Sequence, residues 1–329
     1  MKHQLITLAA AALCLAACTN EESISHDFLA DTPIKLNVNV DEPTTRAGYS
    51  NDNRPTRFAI RVIHNNDEPD KYNYNVLAEW EDNNWKTYDF VHYYNTGTKK
   101  EVTMLWANMS DKVKITAISD VDYWADWTIS NHPTDQTTQD ALKKADFLVM
   151  PSTQVVPSQS GINVEFKHTM SKINLTIELG DEYEFAEDVE KKITDVKIDG
   201  SKVKADYGIY SSTYDPQFII NNHSGNPTPI SPLLTATTPY SKTEGVIKKA
   251  TASYEAILIP QFIASGKFTV SFRVDGKLYE WAYNKELILA PTTAYTLKLT
   301  AGNDKVQPAS FSASPWAAGN GEGEKVETD

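Results

Sequence analysis

Apolar and polar residues alternate one for one in many separate runs of this chain. Ile34, Leu36, Val38 and Val40 are spaced by Lys35, Asn37 and Asn39. Phe58, Ile60 and Val62 alternate in the same way, as do Ile173, Leu175, Ile177 and Leu179. Phe268, Val270, Phe272 and Val274 form another run, and Tyr295, Leu297 and Leu299 a last one. A period of two means strands with one buried and one wet face, the pattern of antiparallel sheets packed as sandwiches. Clusters of Gly, Pro, Asn, Asp and Ser separate the runs, as at Asn65–Asp70 and Asn221–Pro232. Asp275-Gly276 predicts a hairpin turn. Helical signal is scarce: Thr138–Ala145, capped by Thr137 or Thr138, and Tyr183–Lys192 each fit one short helix. The expected fold class is all-β.

A chain of 329 residues has room for about two domains. The stretch Pro151–Gly161 is rich in Ser, Pro and Gln and precedes a new series of strands. It predicts one sandwich over residues 31–160 and a second over 161–316, each with about seven strands. Residues 317–329, rich in Gly, Glu and Lys, read as a flexible tail.

The N-terminus carries a different signal. Met1-Lys2-His3-Gln4 is followed by an apolar run from Leu5 to Ala17, the make-up of a secretory signal peptide. The run is shorter than the roughly 20 residues that span a bilayer. Leu15-Ala16-Ala17-Cys18 resembles the lipobox of bacterial lipoproteins. The resemblance implies cleavage between Ala17 and Cys18 and acylation of Cys18, with residues 18–30 as an acidic tether to a membrane. Both cysteines, Cys14 and Cys18, lie in this region, so the exported chain has no disulfide. The formal net charge of −13 argues against nucleic acid and anionic lipid surfaces as partners.

No arrangement for catalysis is visible. His26, His64, His92, His132, His168 and His223 are scattered and form no metal-binding pair. Neither a nucleophile elbow nor a phosphate-binding glycine loop is present. No cofactor or metal is indicated. Trp80, Trp85, Trp106, Trp124, Trp127 and Trp281 can serve as core or as a carbohydrate platform. Each sits within or beside a β-like run, which favours core; Trp124 and Trp127 are the best candidates for an exposed pair. His168, alone at a strand junction, reads as a structural hydrogen-bonder.

Several segments together resemble the fimbrillin family of Bacteroidetes, the subunits of type V pili. These are Ala145-Asp146-Phe147-Leu148-Val149, Phe166-Lys167-His168-Thr169-Met170-Ser171-Lys172-Ile173, Tyr254-Glu255-Ala256-Ile257-Leu258-Ile259-Pro260-Gln261 and Thr44-Thr45-Arg46-Ala47-Gly48. The resemblance implies two transthyretin-like β-sandwich domains in tandem and a lipoprotein precursor at the outer membrane surface. It also implies an Arg-specific protease that cuts near the end of the first strand region, and other pilin subunits as partners. The matching cut lies between Arg46 and Ala47. It would release the strand carrying Ile34, Leu36, Val38 and Val40 and open a groove for a donor strand. Arg54 is the weaker candidate because Pro55 follows it. Ala309–Trp316 is the candidate donor, with Phe311 and Ala313 on one parity and Trp316 on the other. The same segment can instead complete its own domain, and both readings stand.

Three functions follow in order. The first is a surface lipoprotein pilin, as shaft, tip or anchor, that adheres to a host or bacterial surface glycan or protein and ends in the fimbrium. The second is a monomeric surface lipoprotein that binds glycan through Trp124 and Trp127 or through loops. An enzyme ranks last.

Overall fold

A computed structural model describes residues 30–40, 49–50, 52–64, 71–119, 128–129, 132–210, 217–302, 305–316 and 324–325. Cys18, Arg46, Ala47, Trp124 and Trp127 lie outside them. The chain is mostly β, with several sheets.

The first half builds a seven-stranded sheet. Its elements are β1 (Leu36–Val40), β2 (Arg57–Ile63), β3 (Tyr74–Glu81), β4 (Asn84–Asp89), α1 (Phe90–Thr96) and β5 (Val113–Ile118), followed by the two-residue β6 (Thr128–Ile129), α2 (Gln139–Ala145), β7 (Leu148–Val155) and β8 (Ile162–His168). The strand order is β1-β8-β7-β5-β2-β3-β4. The expected alternation holds in β8, where Ile162, Val164 and Phe166 are buried and Asn163, Glu165 and Lys167 exposed. The core beneath includes Phe58, Trp106 and Phe166, with Phe58 and Phe166 edge to face at 5.3 Å.

The chain passes to the second half through Thr169 and Met170 alone. There follow β9 (Ser171–Leu179), α3 (Val189–Lys192), β10 (Ile193–Asp199), β11 (Lys202–Tyr210), β12 (Gln217–Pro227), β13 (Leu233–Thr238), β14 (Ser241–Thr243) and β15 (Val246–Lys248), then β16 (Thr251–Leu258), β17 (Gln261–Ile263), β18 (Thr269–Val274), β19 (Lys277–Ala282), β20 (Leu287–Leu289), β21 (Thr293–Ala301), β22 (Val306–Pro315) and β23 (Glu324–Lys325). A six-stranded sheet runs β13-β16-β9-β21-β22-β23. It shares one core with the sheet β10-β18-β19. A third apolar cluster joins the halves, with Phe90, Leu142, Phe147, Met170, Ile257 and Trp316 among its members.

Several local expectations need correction. The segment 151–161, expected to divide the halves, is the end of β7 and the loop into β8. Two pairings are parallel, β1 with β8 and β9 with β21, where antiparallel order was expected throughout. Both join strands far apart in sequence, so no tight turn dictates their direction. Of Tyr183–Lys192 only Val189–Lys192 is helical, preceded by Asp188 at φ 54°. Tyr183 and Phe185 instead pack on the second core, and the Phe185 carbonyl accepts from the Tyr240 amide. Tertiary contact there overrides local helical preference. The second helix formed as expected, with the Thr138 hydroxyl accepting from the Ala141 amide. Helix α1 was not foreseen: Asp89 caps its start and Gly97, at φ 68°, its end.

β22 closes the second core. Phe311 is buried there, 5.3 Å from Tyr283 and stacked on Phe268 at 6.2 Å. Phe311→Ala is expected to cost about 3–5 kcal/mol, read as a lowered urea midpoint with an unchanged secondary-structure spectrum of the native state.

Candidate functional site

The N-terminal strand lies at one edge of the first sheet and serves two neighbours. Ahead of β1, the Asp31 and Ile34 amides donate to the Trp106 and Met104 carbonyls, each at 2.8 Å. β1 then runs parallel to β8, with Leu36 opposite Ile162 and Val40 opposite Phe166. Val38 and Val40 are buried, and Ile34 and Leu36 are half-buried against the same core. All four side chains expected to leave with this strand therefore sit on one apolar row.

β8 depends on this neighbour. Its pairing with β7 covers only Leu148–His168 and Val149–Lys167. From Ile162 to Phe166 its ladder partner is β1. The entrance to the slot is tight. Ile162 donates its amide to the Lys35 carbonyl at 2.8 Å. Gly161, at φ +89°, leaves no room for a side chain, since an added Cβ would lie 2.3 Å from that oxygen. The Arg54 guanidinium donates to the Val38 carbonyl at 3.2 Å and lies over Trp80. Arg57 pairs with Glu79 at 3.1 Å. Both arginines near Arg46 are thus engaged in the fold.

At the far end of β8 the chain builds a buried polar junction. His168 Nδ1 lies 2.9 Å from Asp146 Oδ1, and both side chains are buried. The other carboxylate oxygen of Asp146 accepts from the Tyr49 amide at 3.0 Å. The His168 ring stacks on Trp316 at 4.2 Å, with 9° between planes. Lys172 is buried as well, 3.1 Å from Glu255, with its ammonium 5.7 Å from the Trp316 ring. Burial pushes the Glu255 carboxyl above its ordinary range, and Lys172 opposes that shift. Candidate donor residues Phe311 and Trp316 thus enter different cores: Phe311 the second, Trp316 the cluster between the halves. Ala313 packs at the edge of the second core.

A family model described as "Fimbrillin-like" matches residues 45–316. The chain belongs to the fimbrillin-like family. The fold is similar to that of a Bacteroides ovatus protein described as a "putative cell adhesion protein". The TM-score is 0.52 at 15% identity, over 91% of this chain and 100% of that one. A Bacteroides uniformis protein of the same description gives 0.47 at 14% identity, over 87% and 98%. A "fimbrial protein" from Bacteroides ovatus gives 0.38 at 13% identity, over 84% of this chain and 49% of that one. At 15% identity the likeness to the first of these is one of fold alone. No curated protein matches the chain. The family is non-enzymatic.

The three internal segments that resemble fimbrillins meet at the junction. Asp146 comes from the first, His168 and Lys172 from the second, and Glu255 from the third. The hydrogen bond expected of His168 is made to Asp146. The last segment ends in Gln261, whose amide donates to the Lys202 carbonyl at 3.0 Å and accepts from its amide at 2.8 Å. The roles of Asp146, Lys172 and Gln261 were not read from sequence, although each lies in a segment singled out there. Among the described residues no cluster of His, Cys, Asp and Glu is placed to hold a metal. Trp106 is fully buried and Trp85 and Trp281 half-buried, while Trp80 is 37% exposed.

Beside the junction, His132 and Gln136 tie the loop before α2 to β16. Gln136 brackets Ile257, accepting from its amide at 2.8 Å and donating to its carbonyl at 2.7 Å. His132 Nε2 donates to the same carbonyl at 2.8 Å. Burial lowers the His132 pKa to about 4. Between the ordinary value near 6.5 and about 4, the unfolded chain binds a proton that the native state refuses. Stability attributable to this ring is therefore complete above pH 6.5 and falls with acidification, by roughly 3 kcal/mol in all. Urea midpoints of wild type and His132→Gln at pH 7 and pH 4.5 test this. The variant is expected to lose markedly less stability between the two.

Proposed function

We propose that this chain is a cell-surface fimbrial subunit, as shaft, tip or anchor, that assembles by strand exchange and serves adhesion. Its precursor is a lipoprotein acylated at Cys18 and held at the outer membrane surface. An Arg-specific protease cuts between Arg46 and Ala47. β1 then leaves, and a strand of another subunit takes its place. The two halves act as transthyretin-like sandwiches, the first receiving a strand and the second supplying one.

One observation carries this reading. β1 is an edge strand, yet Ile162–Phe166 has β1 as its ladder partner. Withdrawing β1 exposes the buried Ile162, Val164 and Phe166 and leaves backbone groups of β8 unpaired. Losing the burial of Val38 and Val40 alone costs roughly 1.5–3 kcal/mol each. An empty slot of this kind binds an extended strand with alternating apolar residues, as in β-strand addition. Family membership supports the same direction, as does the description of the Bacteroides ovatus protein of similar fold as a cell adhesion protein. The matched region starts beside Arg46, beyond β1. The C-terminal strand is the candidate donor, with Phe311 and Ala313 as the residues offered to the groove and Trp316 at its end.

The second reading, a monomeric surface lipoprotein that binds glycan, draws on Trp80. Its ring is part exposed and lies beneath the Arg54 guanidinium at 5.2 Å.

Limited trypsin digestion of the chain starting after Cys18, followed by intact mass and native gels, tests the proposal. A cut after Arg46 followed by a ladder of stable oligomers is the expected outcome. A cut chain that stays monomeric, or no cut there, overturns assembly by this route. Quenching of tryptophan fluorescence by glycan in the uncut monomer would then favour the second reading.

A further inference from the structure

Strand exchange needs two events in each subunit: a slot must empty and a C-terminal strand must come free. The residues that hold these two strands meet at one side chain. β8, the wall of the slot, ends at His168. β22, the candidate donor, runs to Pro315 and is followed by Trp316. His168 and Trp316 are stacked face to face at 4.2 Å.

Release of β22 has to start at an end, because β21 pairs with it along its whole length from Val306 to Pro315. On its other side β23 covers only Ser312 and Ala313. The C-terminal end is the guarded one. Trp316 is buried, its indole stacks on the His168 ring with the Lys172 ammonium 5.7 Å from its centre, and its amide donates to the Thr292 carbonyl at 2.6 Å. Thr292 holds φ 54°, a strained conformation for a β-branched residue, and donates its own amide to Met170 two residues past His168. Trp316 is thus fastened to the short segment that leaves β8.

That segment is in turn fastened through β8. His168 has its ring fixed by Asp146, and Asp146 also holds the Tyr49 amide, on the far side of Arg46 from β1. Along Ile162–Phe166, β8 is paired with β1. Loosening β1 frees β8 as far as Phe166, two residues short of the His168 ring that supports the indole; Lys167 and His168 keep Val149 and Leu148 as ladder partners.

We infer that His168 is the positioning residue that couples the slot to the donor strand, so that unseating β1 loosens Trp316 and the end of β22. The inference rests on the strand-exchange reading for its purpose, but its physical content concerns the intact chain. A subunit so built holds its C-terminal strand while its own β1 is seated and offers it once β1 has gone. The partner served by this regulation is a second copy of the chain or a related subunit with the same slot.

Hydrogen exchange read by mass spectrometry on the uncut chain, starting after Cys18, tests the coupling without a protease. Gly161→Ala forces the Lys35 carbonyl away and unseats β1; Val38→Ser does so more gently should the first variant fail to fold. Either is expected to speed exchange in 162–168 and, by roughly tenfold or more, in 306–316, with 251–258 unchanged. His168→Asn keeps a donor for Asp146 but has no ring to stack on Trp316. In that background 306–316 is expected to exchange fast already, and adding Val38→Ser is expected to speed 162–168 alone. Fast exchange confined to 162–168 when β1 is unseated beside an intact His168 overturns the coupling. So does a His168→Asn chain whose 306–316 segment keeps wild-type protection. Failure of processing shows separately, as no cut after Arg46 in the trypsin digest, and leaves the exchange result standing.

Discussion

The backbone of β8 between Ile162 and Phe166 governs the architecture of the first half. Its inward side chains, Ile162, Val164 and Phe166, are among the most buried in the molecule, while its ladder there is shared with the strand nearest the N-terminus. An interior strand would hold those groups from both sides. Here β7 reaches only the last two residues of β8, so the core is closed by an edge strand. A fold normally protects its edges by making them short or charged. β1 is short and turns Asn37 and Asn39 to solvent, yet it contributes Val38 and Val40 to the core. Stability and the option of exchange therefore rest on the same side chains.

The residues that carried most in the sequence were those obeying period two. Leu36, Val38 and Val40, and Ile173 through Leu179, could be placed on strands, and their buried parity could be stated, because alternation is a local property of a half-buried strand. Partner and direction are not local. Nothing in Leu36–Val40 encodes that its neighbour is Ile162–Phe166, or that the pair is parallel. Helix α1 escaped because FVHYYNT, though flanked by the caps Asp89 and Gly97, has one buried residue, so no apolar stripe marks it. The opposite failure occurred at Tyr183–Asp188, where an expected helix gave way to the packing of Tyr183 and Phe185 on a core from distant strands.

The junction shows the same division. His168 could be read as a structural hydrogen-bonder from its position between two strand-like runs. Its partners could not, because Asp146 is 22 residues away and Trp316 belongs to the last strand of the second half. What the sequence did contain was the clustering of unusual residues in three short segments. A Lys at an inward position, as at Lys172, signals a buried ion pair, since an ammonium is not left alone in a core. Breaking such a pair costs more than the pair itself contributes, because the remaining charge stays buried. The cluster ties β8, β9, β16 and Trp316 together at one place.

A seated C-terminal strand sharpens the energetic condition on assembly. β22 buries Phe311 in its own core and pairs with β21 along its whole length, so lifting it out uncovers one apolar row while filling another. In the proposed exchange the row uncovered offsets the row filled, so a bias toward assembly has to come from elsewhere. The proposed proteolysis would supply such a bias, because a severed β1 would no longer be tethered at high effective concentration beside its slot, and its return would become a bimolecular event. A tethered strand outcompetes a free one of equal affinity; an untethered strand does not. On the proposed route, a cut between β1 and the rest of the fold would therefore weigh more on the direction of assembly than the packing of the donor strand.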